Sequence, residues 1–300
     1  MSVSAVAKQT RASSIRVRRP FSHPIAVIAG LTFREAARRK VLWAGFLLGL
    51  AFLLLYGLGL YLLISGDPGR FSGVNPLLRN QAINLPLMVG LYAVNFLIVM
   101  MTVLTSVDTL AGEISSGIIQ AMMTKPISRW EALLGKWLGF VGMLTLYILL
   151  MAGGTLLVTY LLSRYATPNM LRGLSLIWLE SLLLLTVTFL WGTTFSTLTT
   201  GVLTFGLQSL AFIGGWIEQF GAIAQSKAAI NLGIITSIIM PSDALWRRAA
   251  FEMQSPLVSA LGLSPFSGIS MPSSAMVIYA IVYLVVVLTL AVRRFQRRDL

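Results

Sequence analysis

Residues 108–137 read Asp108-Thr-Leu-Ala-Gly-Glu113-Ile-Ser-Ser-Gly117-Ile-Ile-Gln-Ala-Met122-Met-Thr-Lys125-Pro126-Ile-Ser128-Arg129-Trp-Glu131-Ala-Leu-Leu-Gly-Lys136-Trp137. This polar stretch separates two uncharged runs, 80–107 and 137–163. Each run exceeds the roughly 20 apolar residues that a helix needs to cross a bilayer. The stretch is therefore a connector on one side of a membrane, and its own pattern predicts that it folds. Ile114, Ile118, Ile119, Met122 and Met123 recur at helical spacing. Pro126 ends that helix, because proline lacks an N–H and disfavours helix in the residue before it. Ser128 and Glu131 then form Ser-x-x-Glu, the capping box of a new helix.

Within this stretch Glu113, Gly117, Pro126, Ser128, Arg129 and Lys136 stand as Glu-x3-Gly-x8-Pro-x-Ser-Arg-x6-Lys after the second membrane segment. The arrangement resembles the permease subunits of ABC-2 type ABC transporters, including six-helix permeases whose ATPase is a separate chain. The likeness in length and layout extends over roughly the whole chain after the first twenty residues. It implies that the connector is a coupling helix held in a groove of an ATP-binding subunit. Glu113, Gly117, Ile118, Met122, Pro126, Ser128 and Arg129 would form that contact. The resemblance also implies a pair of permease chains, identical or mixed, in a prokaryotic cell membrane, and export rather than import. On the residues alone, an ordinary cytosolic loop remains an equal reading.

Composition excludes several other classes. Of 300 residues, 56% are hydrophobic and 11% charged, and the mean hydropathy is +0.82. A soluble domain carries about 25% charged residues, so the chain reads as an all-α polytopic membrane protein. No cysteine is present and His23 is the sole histidine. Disulfides, thiolate nucleophiles and multi-histidine metal sites are thereby excluded, and no metal or other cofactor is expected. The nearest approach to a phosphate-binding loop, Gly135-Lys136-Trp137, lacks the first glycine and the hydroxyl of Gly-x4-Gly-Lys-Ser/Thr. The chain is thus expected not to be an enzyme, with any ATP bound by a partner subunit. The net charge of +13 points to membrane orientation and anionic lipid rather than to nucleic acid.

Residues 1–20 carry five basic residues and no acid, the composition of a disordered cytosolic tail. The transmembrane domain is expected over 21–300. From Pro24 to Lys40 a helix is predicted with Ile25, Ala29, Thr32, Phe33 and Ala36 on one side and Arg34 and Arg38 opposite. Glu35 is placed to pair with Arg39. Such a helix lies in the interface as an elbow. Six spans follow near 41–64, 83–107, 137–161, 174–195, 202–220 and 273–290. The small polar cluster Ser196–Gly201 places the turn between the fourth and fifth. Ala228–Met240 is too short to cross and Pro241 stops it. Two short extracytoplasmic helices against the outer end of the bundle are expected over 228–253, with Trp246 at an interface. Sixteen lysines and arginines fall on the side of both termini and the connector, against seven opposite. This bias places both termini in the cytosol.

Glu180 is the most informative single residue inside a span, because a charge in hydrocarbon is costly. It either belongs to a translocation path or, lying about two turns from the expected outer end, simply reaches water. Glu113 either meets the ATPase or pairs with Arg129. Arg129 and Lys136 equally suit simple anchoring to phosphates. A membrane anchor or sensory scaffold without an ATPase is the competing functional class.

Overall fold

In the computed structural model, residues 24–66, 75–116, 128–254 and 271–298 are described. Nearly all of them are helical, and no strand occurs among them. Helix α1 spans Pro24–Ala36 and α2 spans Lys40–Ser65. Helix α3 runs from Pro76 to Ser115, 40 residues. Proline at its first position donates nothing that the helix needs. Pro86, inside it, sits where transmembrane helices tolerate the missing donor. Helix α4 covers Arg129–Ser163 and contains one π-helical turn, Leu149–Gly153. Helices α5, Met170–Gly192, and α6, Thr197–Ile223, are joined by the short turn expected near Ser196. Helices α7, Lys227–Ile239, and α8, Ser242–Met253, meet at a bend of 106°. Helix α9 spans Ser274–Arg297.

Six of these helices, α2 to α6 and α9, are long and apolar enough to cross a membrane, so the chain is an all-α multi-pass membrane protein. Helix α5 is the axis of the bundle: 72% of its most apolar window is buried, against 11% for α2. A helix apolar all round is buried by its neighbours or by lipid. Leu47, Leu54 and Leu55 of α2 are exposed to what surrounds the bundle. Core side chains include Leu87, Leu91 and Val94 of α3, Phe140, Leu144 and Met151 of α4, and Leu183 to Leu185 of α5. Phe140 and Phe189 meet edge to face, with centroids 6.1 Å apart.

Contacts between helix ends establish how the crossings alternate. At one end, Arg129 donates to the carbonyls of Gln296 and Arg298, at 3.1 and 2.5 Å. Arg298 donates to the carbonyl of Thr193, and Arg39 meets Asp108 at 3.4 Å. At the other end, Arg79 donates to Ser163 O and Asn84 to the Tyr165 hydroxyl, at 3.4 and 3.0 Å. Arg248 of α8 reaches Pro272 O, 3.1 Å away, just before α9. The start of α9 therefore shares this second end with α8, and the α7–α8 pair enters and leaves on one side.

Several expectations change at the level of elements. The second span begins earlier and ends later than 83–107, so Glu113 and Ile114 belong to its last turns rather than to a separate helix. The third crossing helix starts at Arg129, directly after the predicted Ser128 cap, and so runs about two turns ahead of the expected span. The pair α7–α8 is present but does not rest on the end of the bundle. Ser242, just after the bend, donates to Gln208 near the middle of α6, at 2.6 Å. Trp246 is 2% exposed, packed against Tyr92 with centroids 5.6 Å apart, rather than at an interface. The amphipathic pattern of α8 reflects burial against α5 and α6, not a membrane surface.

Candidate functional site

Two polar constellations stand out in this apolar bundle. The first lies where α3 and α4 flank the connector. Glu113, in the last turn of α3, forms an ion pair with Lys136 in the second turn of α4, and both side chains are buried. Glu113 thus pairs with Lys136 and not with Arg129, and Lys136 is not extended to phosphates. Arg129 instead holds the C-terminal carbonyls of α9, which carry the negative end of that helix dipole. Ser128 precedes α4 as predicted. The Glu131 carboxylate accepts from the Ser128 backbone N–H at 2.9 Å and from its hydroxyl, which satisfies a donor that the helix start leaves free. Gly117, Ile118, Met122 and Pro126 lie outside the described residues.

Helix α1 packs across the start of α4. A Cβ at Gly135 would lie 2.7 Å from Ile28 Cβ, and one at Gly139 would lie 2.8 Å from Ala29 O. Small residues four apart let two backbones approach this closely. The exposed Glu35–Arg39 pair forms as expected, at 3.0 Å, and Arg39 also reaches Asp108. The ends of α1, α2, α3 and α4 are therefore tied together around the base of the connector.

The second constellation surrounds a cavity of about 590 Å³ between α2, α3, α5, α6 and the start of α8. Its walls are mostly aliphatic and aromatic, among them Phe52, Leu55, Phe96 and Phe212. Glu180 lines it. This residue is the eleventh of 23 in α5, about 15 Å from either end at 1.5 Å per residue. It is 1% exposed, so it does not reach water at an interface. Asn95 of α3 donates to Glu180 Oε1 at 3.3 Å. The other carboxylate oxygen, Oε2, and the Asn95 carbonyl oxygen are buried without a hydrogen-bond partner. A second acid, Asp243, lines the same cavity. It is held at 2.9 Å by Arg247, which also binds Glu218 at 3.0 Å and Ser237 at 3.3 Å. This buried cluster ties α6, α7 and α8 together.

Of the predicted site residues, Glu113, Ser128 and Arg129 gather near the connector, while Glu180 belongs to the separate cavity. Asn95 and Asp243 were not singled out from sequence. A lone amide in the middle of a span was the available signal for Asn95. Asp243 carried none, because only the bend at Pro241 brings it to mid-bundle depth. Among the described residues no cluster of acidic or histidine side chains suits a metal ion.

A profile described as ABC-2 family transporter protein matches residues 26–300 of the chain. No curated protein matches it.

Proposed function

The chain belongs to the ABC-2 family of transporter proteins, and on that premise we propose that it is an export permease driven by a separate ATPase chain through residues 113–125. Membership makes it a permease component of an ABC transporter and implies association with an ABC ATP-binding subunit. The finer assignments are ours. Two copies, or two related chains, pair in the cell membrane of a prokaryote with both termini in the cytosol. Each docks one ATPase on its connector, which hydrolyses the ATP that this chain has no loop to bind.

The observation that carries the coupling is the buried Glu113–Lys136 pair at the base of the connector. It joins the last turn of α3 to α4, and Gly135 and Gly139 seat α1 on the same stretch of α4. A push on 117–127 would therefore move α1 with the adjoining ends of α3 and α4 as one body. Nucleotide-driven closure of the ATPases supplies that push. The buried Glu180 marks the substrate's route, since an ionisable residue in hydrocarbon is functional by default.

Because Glu113 is buried, its substitution disturbs the fold as well as any docking. The test therefore falls on Ile118 and Met122. Co-purification of the ATPase with wild-type permease is expected to be lost in Ile118→Asp/Met122→Asp. The variant should keep its yield and thermal stability. Undiminished association would refute docking at this connector.

A further inference from the structure

The cavity beside Glu180 has a chemical bias. Its apolar walls suit a hydrocarbon chain, and a pocket of this size takes a ligand with a few polar groups fixing its orientation. Two acceptor atoms there, Glu180 Oε2 and Asn95 Oδ1, are buried and lack a donor. Each such atom costs free energy until a donor arrives. No lysine, arginine or histidine occurs among the described lining residues. Glu180 takes part in none of the ion pairs among the described residues, whereas Asp243, which lines the same cavity, is paired with Arg247. Tyr92, Trp246 and Phe212 cluster beside them, with Tyr92 centroids 5.6 and 6.3 Å from the other two. Aromatic faces attract cations. The indole N–H of Trp246 is a buried donor without a partner, so it can also donate to a hydroxyl or carbonyl oxygen near the head group.

We propose that this cavity binds a cationic amphiphile whose head carries N–H donors, a primary ammonium or a guanidinium. The head lies between Glu180 and Asn95, and the tail lies along Phe52, Leu55 and Phe96. An ammonium supplies both the missing donors and the charge that balances Glu180 in a medium of low dielectric. An anionic head meets the unpaired carboxylate of Glu180 and is rejected, which is how such a site sets specificity. The aliphatic wall on α2 faces outward at Leu48 and Leu55, so the tail can enter sideways from lipid. That this ligand is cargo rests on the permease reading above; that it binds does not.

The test uses the purified chain in lipid nanodiscs, without ATPase or nucleotide, and radiolabelled dodecylamine as the probe. Binding is counted above that of empty nanodiscs. Wild type should bind dodecylammonium about tenfold more tightly than Glu180→Gln, the effect of one charged hydrogen bond. Dodecanol should bind both equally and dodecyl sulfate should not compete. Glutamine keeps the shape of the residue and an oxygen for Asn95 but removes the charge and the free acceptor, so loss of ammonium selectivity reports on the Glu180 carboxylate. Ser209→Trp, at the cavity wall, leaves Glu180 intact and should abolish binding by filling the space. Equal dodecylammonium affinity in wild type and Glu180→Gln overturns the proposal. So does binding unaffected by Ser209→Trp, or displacement by dodecyl sulfate. None of those results touches ATPase docking, which the co-purification experiment decides separately.

Discussion

Lys136 of α4 and Glu113 of α3 form a buried ion pair at the base of the connector. Both sit in the polar connector, where charges are expected in water. Both are buried, because α3 and α4 continue past the apolar runs and bring them face to face. Removing one partner strands the other charge, which costs about 3–5 kcal/mol, whereas replacing both with apolar side chains is often nearly neutral. Lys136→Met is therefore expected to lower thermal stability in detergent markedly, and Glu113→Leu/Lys136→Met to regain most of the loss. A double variant no more stable than the single would mean that the pair contributes nothing as a pair. Glu180 was legible as the lone charge of its span. Its partner Asn95 lies 85 residues away, a distance in sequence that no local pattern bridges.

At the scale of elements, α1 is an amphipathic helix by its spacing, yet its place is decided by glycines on another helix. Ala29 O and Ile28 lie where Cβ atoms at Gly139 and Gly135 would stand, and a backbone carbonyl cannot step aside. Gly139→Ala is expected to cost about 1–3 kcal/mol, the usual penalty of overpacking. Gly142→Ala serves as the control, since its Cβ would meet only Phe33 at 3.6 Å, an ordinary contact. Thermal unfolding of the two variants beside wild type checks this, and equal stability would show that α1 yields at no cost. The π-helical turn at Leu149–Gly153 belongs to the same scale. It ends at the adjacent glycines Gly153 and Gly154. Which of the two faces a neighbour was not readable: Gly154 lies against Leu53, and Gly153 against nothing within 4 Å.

For the whole molecule, the question is how often the chain crosses. The bent pair α7–α8 would make seven spans if it crossed. Contacts from Arg248 to Pro272 O and from Asn169 to Glu252, at 3.1 and 3.3 Å, return α8 to the end from which α7 set out. Because the chain contains no cysteine, single cysteines report topology cleanly. Ala224→Cys and Met271→Cys should react with an impermeant maleimide from one side, and Ser116→Cys and Ser196→Cys from the other. The positive-inside bias predicts that the second pair is labelled from the cytosolic side. Labelling of positions 224 and 271 from opposite sides would establish a seventh crossing.

Run length alone determined that this chain is helical with six segments long enough to cross a membrane, and the polar cluster at Ser196 marked a turn, because a bilayer admits few other ways to satisfy polar backbone groups. The basic bias and the Ser128–Glu131 cap were equally local, and so equally readable. Tertiary structure decided what depends on residues far apart in the chain. It paired Glu113 with Lys136, drew Glu180 and Asn95 together at mid-bundle, and folded Pro241 inward so that Asp243 and Trp246 line the same cavity. Those outcomes follow from which faces of the helices bury one another, and period and composition leave that choice open.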